Sequence, residues 1–426
     1  MRYHSTRDKG HVVGFAEAAL CGLAPDGGLY VPESFPEYTS TVKSSLRGMD
    51  YQEIAHNTIY PWVKDDIPES VLEEICKSAF SFPVPLVKAG DRFVLELFHG
   101  PTAAFKDFGA RFMARAFPYL RRGEDKPLKI LVATSGDTGG AVADGFFGVE
   151  GVSVTVLYPK GRISPLQEKQ IAGLGGNVTA LAVDGSFDDC QALVKQAFSD
   201  KTLNKKLALS SANSINISRL IPQAAYYTYA AVQSAIQSPI ISVPSGNFGN
   251  LTAGIYAYKM GAPIKGFIAA TNINKIVPNY LDTGNYIVEN THATISNAMD
   301  VGAPSNFERI ASHFTLEEMR RFMNGVYVSD EETRKCISEV FSSHAYYLDP
   351  HSAVGWHGAD ILKSKGKLPG DYPLVILSTA HPAKFAEIVE PITGAIPYPP
   401  DLIKAMERKT DITVIPNDFN ILKDLL

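Results

Sequence analysis

The chain has 426 residues, of which 45% are hydrophobic and 20% charged, with a formal net charge of −5 and a pI near 6.1. That length supports two or three separate cores, and the acidic balance supplies no basic field for phosphodiester or anionic lipid, so neither nucleic acid nor a membrane is expected as a partner. Four scattered cysteines, Cys21, Cys76, Cys190 and Cys336, with no C-x-x-C pair and no histidine cluster, argue against a disulfide framework and against a metal site. The polar start MRYHSTRDKGH and the lack of an apolar run of ~18–20 residues point to a cytoplasmic setting.

In chain order, residues 1–95 read as an N-terminal, mainly helical segment broken by Pro/Gly turns at Ala24–Gly28 and Phe82–Pro85. From Leu128 onward, apolar β-rich runs alternate with helical stretches as in parallel β-α units. LKILVAT, VSVTVLYP, NVTALAVDG and LALSSAN are the strands, with helices near Gly140–Phe147, after Ser164 and over Asp188–Phe198. A helical stretch from Ile217 to about Gln233 leads into a second series: PIISVPS, a helix over Leu251–Met260 and IKGFIAAT. Beyond Asn274 the pattern is less regular, with one clear strand near Pro373–Thr379 and a Pro-rich stretch at Pro397–Pro400. The reading is α/β, with residues 96–235 as a smaller α/β domain and 236–426 as a larger one.

Two strand-to-helix turns share one construction, VATSGDTGGAV around Ser135–Gly140 and SVPSGNFGNLTAG around Ser245–Asn250. Small and hydroxyl residues at such a junction leave backbone N–H groups free to hold an anion. Neither matches the dinucleotide or P-loop fingerprints, and either one taken alone is equally a tight β-α turn. Lys106, inside ELFHGPTAAFKDFG, stands between two phenylalanines at the start of a helix. Partial desolvation there lowers an ammonium pKa and suits Schiff-base chemistry, although a lysine judged by pattern alone is a surface charge. His351, His357 and His381 lack metal-ligand spacing and read as turn or buried imidazoles. Tyr226, Tyr227 and Tyr229 read as a buried helix face.

ELFHGPTAAFKDFG, ATSGDTGGAV, SANSINISR, VPSGNFGNLTAG, SNAMD and STAHPAKF together resemble, in the same order, the motifs of the longer bacterial and fungal threonine synthases. These belong to the fold-type-II pyridoxal-phosphate enzymes. The opening GFAEAALCGLAPDGGLYVPE is similar to that family's N-terminal segment, so the resemblance runs over roughly residues 12 to 390.

The resemblance implies pyridoxal 5'-phosphate as cofactor, in a Schiff base with Lys106, which would also carry protons between carbon atoms. It implies that Gly246, Asn247, Phe248, Gly249 and Asn250 cup the cofactor phosphate, Asn250 standing where several relatives have Asp. Thr379 would meet the pyridine nitrogen and Asp137 the phenolic oxygen, its protonation state left open because many wider relatives carry Asn there. Ser135, Gly136 and Thr138 would receive the amino-acid carboxylate, and Asn213, Ser214 and Arg219 the substrate phosphate, for which an arginine fork is well shaped. Asn297 and Asp300 are assigned either to the pocket or to capping.

The implied reaction converts O-phospho-L-homoserine and water to L-threonine and phosphate by γ-elimination and β-addition of water. The alternatives are another fold-type-II lyase, either an amino-acid dehydratase or a phospho-lyase, and a non-catalytic cofactor-binding homologue. A second phosphate site at Asn213, Ser214 and Arg219 argues against a simple dehydratase. Monomer and homodimer are left open.

Overall fold

The computed structural model describes residues 1–124, 126–233, 236–368, 370 and 372–426. Its strands are β1 Tyr3–Ser5, β2 Val12–Val13, β3 Tyr30–Pro32, β4 Leu86–Ala89, β5 Arg92–Glu96, β6 Leu128–Ala133, β7 Val152–Pro159, β8 Val178–Asp184, β9 Ala208–Ser211, β10 Ile240–Pro244, β11 Gly266–Thr271, β12 Met323–Tyr327, β13 Leu374–Ser378 and β14 Thr413–Pro416. The apolar runs read from the sequence form the buried centres of two sheets, because strands covered by helices on both faces need apolar side chains on both. One sheet has the order β12-β11-β10-β13-β5-β4 and the other β14-β8-β7-β6-β9. All neighbours in both run parallel except the β4–β5 pair.

The first segment is helical over Phe15–Cys21, Ser40–Ser45, Tyr51–Val63 and Glu69–Ala79, and it also carries a small antiparallel sheet, β2-β1-β3. The hydroxyl of buried Tyr3 donates to the Trp62 carbonyl at 2.9 Å, which ties that sheet to the helices behind it.

Two expected boundaries need correction. β4 and β5 lie in the six-stranded sheet, β5 paired with β13 at Phe93↔Val375, although residues up to 95 were assigned to the N-terminal segment. β14, assigned to the larger domain, completes the five-stranded sheet by pairing with β8 at Thr413↔Leu181. Of its four residues only Ile415 is buried, packed with Leu181, Val183 and Cys190, so this edge strand is too short an apolar run to mark its sheet. The boundary expected at residue 235 lies outside the described residues.

The helix expected over Ile217–Gln233 is divided into Ile217–Leu220, a 3-10 turn Ile221–Gln223, and Ala224–Val232. Pro222 has no N–H to continue the ladder. The region after Asn274 is far more regular than its sequence suggests, with helices Ile276–Thr283, Phe307–His313, Leu316–Phe322, Asp330–His344 and Pro350–Ser364. Ser329 and Glu332 cap Asp330–His344 reciprocally, each side chain bonded to the other's backbone N–H. Only Thr333, Cys336, Ile337 and Val340 of that helix are buried, a stripe diluted by charge.

The carboxyl ends of β6, β9, β10 and β13 run directly into the segments 134–138, 212–219, 245–250 and 379–381. In open α/β sheets that end of the strands is where ligands are held.

Candidate active site

Lys106 is the first residue of the helix Lys106–Leu120. The chain before it is fastened to the end of β13: Phe105 N–H donates to the Thr379 carbonyl at 2.9 Å, and His381 N–H to the Ala103 carbonyl at 3.0 Å. Lys106 and Thr379 are therefore registered by backbone pairing. On its other side the helix lies against Asp137–Phe146, where a Cβ added to Gly145 would sit 3.2 Å from the Ala110 backbone.

The Lys106 side chain is 16% exposed, and its Nζ stands 3.4 Å from Asp137 Oδ2. Phe105 lies beneath it, with the ring centroid 5.2 Å from Nζ. Phe108, expected to share that role, packs instead with Tyr51, Phe82 and Tyr226. Burial lowers the Lys106 pKa most; Asp137 opposes this, while Lys384 and Arg219 add to the lowering.

Asp137 opens the helix Asp137–Phe146 and accepts from three side chains. Lys384 Nζ is 2.9 Å from Oδ1, Gln167 Nε2 is 3.0 Å from the same oxygen, and Lys106 approaches Oδ2. Burial alone would raise the Asp137 pKa, but Lys384 and then Lys106 overcome it and hold the carboxyl well below its usual range. The protonation state left open by the sequence is thus decided in favour of the anion.

Gln167 is placed by the capping box of helix Pro165–Ala172, in which its Oε1 accepts from Ser164 N–H at 3.0 Å, leaving Nε2 for Asp137. Gly136 has φ 137°, and a Cβ there would lie 2.4 Å from the Gln167 amide. Ser135, Asp137 and Thr138 line a cavity of about 1470 Å³.

The same cavity is lined by Gly246, Asn247, Phe248, Gly249 and Asn250. Gly246 admits no side chain, since a Cβ would fall 2.6 Å from Met299 Cα. Phe248 is the left-handed N-cap of helix Gly249–Met260, at φ 61°, and no side chain caps that end. First-turn N–H groups therefore remain available to an anion.

Asn247 is pinned rather than free: its Nδ2 donates to Ser214 Oγ at 2.7 Å, and its Oδ1 accepts from Ser305 N–H at 2.5 Å. Asn250 Oδ1 accepts from both Tyr226 at 2.6 Å and Tyr227 at 2.7 Å. Its Nδ2 is buried without a partner. The two tyrosines are buried, as the sequence suggests, but their hydroxyls aim the Asn250 amide.

Thr379, Asn213, Ser214 and Arg219 complete the cavity wall. Asn213 spends its Nδ2 on the Ala133 carbonyl at 2.8 Å, and Ser214 Oγ accepts from Asn247 and from Asn306 at 3.3 Å. Arg219 is 2% exposed; its Nη1 donates to the Ala212 carbonyl at 2.7 Å and its Nε has no partner. Burial lowers its pKa to about 10.

Asn297 and Asp300 also line the cavity. Asp300 accepts from Thr294 and Asn272 and is raised to about 6, chiefly by burial. His351 joins them: its Nδ1 bonds Asp349 at 2.8 Å and its Nε2 accepts from Ala298 N–H at 3.3 Å. That pair of bonds fixes the loop that Gly246 packs against.

A phosphorylated aldehyde fits these residues. A buried amine of lowered pKa, a hydroxyl at Thr379 and a side-chain-free N-terminal cradle share one cavity. Asn250 Nδ2, Arg219 Nε and Asn297 Oδ1, all buried and unpartnered, belong to residues that line the same cavity. Buried polar atoms are rarely left unpaired unless a ligand or water meets them.

The sequence reading missed Lys384, Gln167, the tyrosine hydroxyls, His351 and Arg309. Lys384 lies inside the quoted STAHPAKF, where nothing but its apolar neighbours Pro382, Ala383 and Phe385 marks it as buried. Arg309, fully buried, donates to the carbonyls of Tyr30 at 3.0 Å and Ile215 at 2.5 Å, supporting the Ser214 loop from behind.

Three family models match the chain: a pyridoxal-phosphate-dependent enzyme model over residues 86–380, a threonine synthase N-terminal model over 2–80 and a threonine synthase C-terminal model over 352–426. Relatives include the threonine synthase of Escherichia coli, 43% identical over 100% of this chain and 99% of its own length. That of Saccharomyces cerevisiae is 36% identical over 91% of this chain and 88% of its own. Among solved structures, the threonine synthase of Escherichia coli superposes with a TM-score of 0.91 at 42% identity, covering 100% of this chain and 99% of that one. A pyridoxal-phosphate-bound threonine synthase from Brucella melitensis gives 0.92 at 38%, covering 100% and 98%.

Proposed function

This chain belongs to the threonine synthase family of pyridoxal-phosphate enzymes, and from that premise we propose how its own residues share the conversion of O-phospho-L-homoserine and water to L-threonine and phosphate. The observation that carries the assignment is the presence of two anion-binding walls around one buried amine. The Gly246–Asn250 cradle, with the unpaired Asn250 Nδ2, is one; Arg219, with its unpaired Nε, is the other.

The first wall would hold the cofactor phosphate, and Thr379 would offer its hydroxyl to the ring nitrogen. When bound, pyridoxal phosphate supplies an electron sink for charge developing at the substrate α-carbon. A hydroxyl partner leaves the ring nitrogen without a proton, in contrast to a carboxylate. Lys106 Nζ is the base and acid that moves protons along the substrate carbons, and burial, which lowers its pKa, makes the neutral amine easier to reach.

Ser135, Gly136 and Thr138 receive the substrate carboxylate beside the N-terminus of helix Asp137–Phe146, whose dipole favours that charge. Asn213, Ser214 and Arg219 hold the phosphate that leaves. Asn213 Nδ2 is committed to the Ala133 carbonyl, Ser214 Oγ accepts from Asn247 and Asn306 and keeps its own hydroxyl hydrogen to donate, and Arg219 supplies the charge. Asp137, kept anionic by Lys384, would be offered to the cofactor's phenolic oxygen together with its counter-charge, so the pair would present no net charge there.

The five-stranded sheet with its helices carries one side of the cavity and the six-stranded sheet with its helices the other. The cytoplasm is the compartment in which the free thiols Cys76, Cys190 and Cys336 would persist.

The test is a purified protein with a visible cofactor band that releases phosphate and threonine in equal amounts from O-phospho-L-homoserine. A band surviving Lys106→Ala, or phosphate release with a 2-keto acid in place of threonine, overturns the reading in favour of a different lyase.

A further inference from the structure

We infer that Lys384 is a positioning residue that competes with Lys106 for the Asp137 carboxylate and thereby frees the Lys106 amine to capture the cofactor. Two buried lysines share one carboxylate here, and they share it unequally. Lys384 Nζ is 2.9 Å from Asp137 Oδ1 and also donates to the Thr102 carbonyl at 2.8 Å, with its side chain 0% exposed. Lys106 Nζ stands farther off, at 3.4 Å from Oδ2, on a side chain that still reaches the cavity.

A buried ammonium is tolerated only when paired and hydrogen-bonded. Lys384 meets both conditions, whereas Lys106 meets them only in part. If one of the two is to give up its proton, it is the less well held. Lys384 sits in the 3-10 turn Pro382–Phe385 that follows β13, and the Ala104↔Ala380 bridge joins that turn to the segment before Lys106. Both ammonium groups are thus placed by one strand pairing.

The other titratable groups around the trio are Arg219, whose charge acts on Lys106; His351, near Asp137; Asp107, which accepts from Thr102 and is near Lys384; and His381, whose carbonyl accepts from Lys384 N–H at 3.0 Å. Arg219 acts on Lys106 in the same direction as Lys384, and burial acts with both. Asp137 alone pulls the other way.

Capture joins the Lys106 nitrogen to the aldehyde carbon with loss of one water. It requires the nitrogen lone pair, so its rate follows the fraction of neutral amine. The experiment measures the rate at which apoprotein takes up pyridoxal phosphate as a function of pH, by stopped-flow absorbance, and reads the pH midpoint.

Lys384→Met leaves Asp137 to Lys106 alone, so the midpoint rises by about one pH unit or more, and uptake near neutral pH slows by about tenfold or more. Lys384→Arg, which keeps the charge, holds the midpoint near wild type. Asp137→Asn removes the anion and lowers the midpoint; adding Lys384→Met to it relieves the remaining repulsion and raises the midpoint again.

A folded Lys384→Met with an unchanged midpoint overturns the inference. If that variant does not fold, coincident midpoints for Asp137→Asn and Asp137→Asn/Lys384→Met overturn it instead. The inference rests on Lys106 being the capturing amine, and a visible band retained in Lys106→Ala would sink that reading separately.

Discussion

Gly109 and Arg219 are in direct backbone contact: a Cβ added to Gly109 would lie 2.7 Å from the Arg219 carbonyl oxygen and 3.2 Å from its Cα. Gly109 is one helical turn beyond Lys106, so this approach sets the distance between the reactive amine and the anion-binding arginine. Gly109→Ala must push the Ile217–Leu220 turn away, with an overpacking cost of about 1–3 kcal/mol. The expected outcome is a raised KM for O-phospho-L-homoserine with the visible cofactor band intact. Steady-state kinetics beside an absorption spectrum check it, and an unchanged KM would disconnect the contact from the substrate phosphate.

Tyr226 and Tyr227 both donate to Asn250 Oδ1, which leaves the Asn250 amide hydrogens, buried and unpartnered, turned the other way on a residue that lines the cavity. Removing one hydroxyl leaves the amide correctly turned by the other and costs about 0.5–1.5 kcal/mol. Removing both lets it rotate. Single Tyr→Phe variants are expected to weaken pyridoxal-phosphate binding a few-fold at most, and the double variant by more than the product of the two. Equilibrium dialysis on the apoprotein measures this, and strictly multiplicative effects would argue that the hydroxyls do not act through one shared amide.

Asp107 is fully buried, and burial raises its pKa to about 6 against the Thr102 hydrogen bonds that oppose the shift. An acid whose folded pKa is raised binds its proton more tightly when folded, so its contribution is complete below pH ~4 and is lost as pH rises through about 6. Asp107→Asn abolishes that dependence. Relative to wild type, the variant is expected to gain up to about 3 kcal/mol between pH 4 and 7. Urea denaturation across that range tests the slope, and parallel curves for the two proteins would mean that Asp107 does not titrate there.

Arg309 is completely buried and serves the carbonyls of Tyr30, Ser214 and Ile215 together with the Asn306 side chain. Arg309→Met keeps much of the volume and strands those acceptors, each a partner of a charged donor. A loss of about 3 kcal/mol or more is expected. Thermal unfolding reads it, and saturating cofactor should recover part of the loss because bound ligand favours the folded state.

Local chemistry made much of this molecule legible in one dimension. The strands LKILVAT, VSVTVLYP and PIISVPS are continuous apolar runs because both faces of a parallel strand are covered, and the turns after them are glycine-rich because backbone comes close to other backbone there. Gly246 against Met299 is such a case. By contrast, β14 is only four residues long with one of them buried, and helix Asp330–His344 carries an apolar stripe diluted by charge, so neither stands out until the sheet edge or helix it covers is in place.

The amino-acid order by itself determined the family, the cofactor and the motif that carries Lys106, since six ordered motifs are a property of the chain alone. Tertiary structure alone decided the state of Asp137. Its three partners, Lys106, Gln167 and Lys384, come from 31, 30 and 247 positions away. Local sequence sets backbone conformation over a few residues, but an electrostatic field is a sum over everything nearby in space. Lys384 therefore reads as an ordinary lysine in the sequence and becomes Asp137's buried counter-ion only once the turn after β13 in one sheet meets the helix start after β6 in the other.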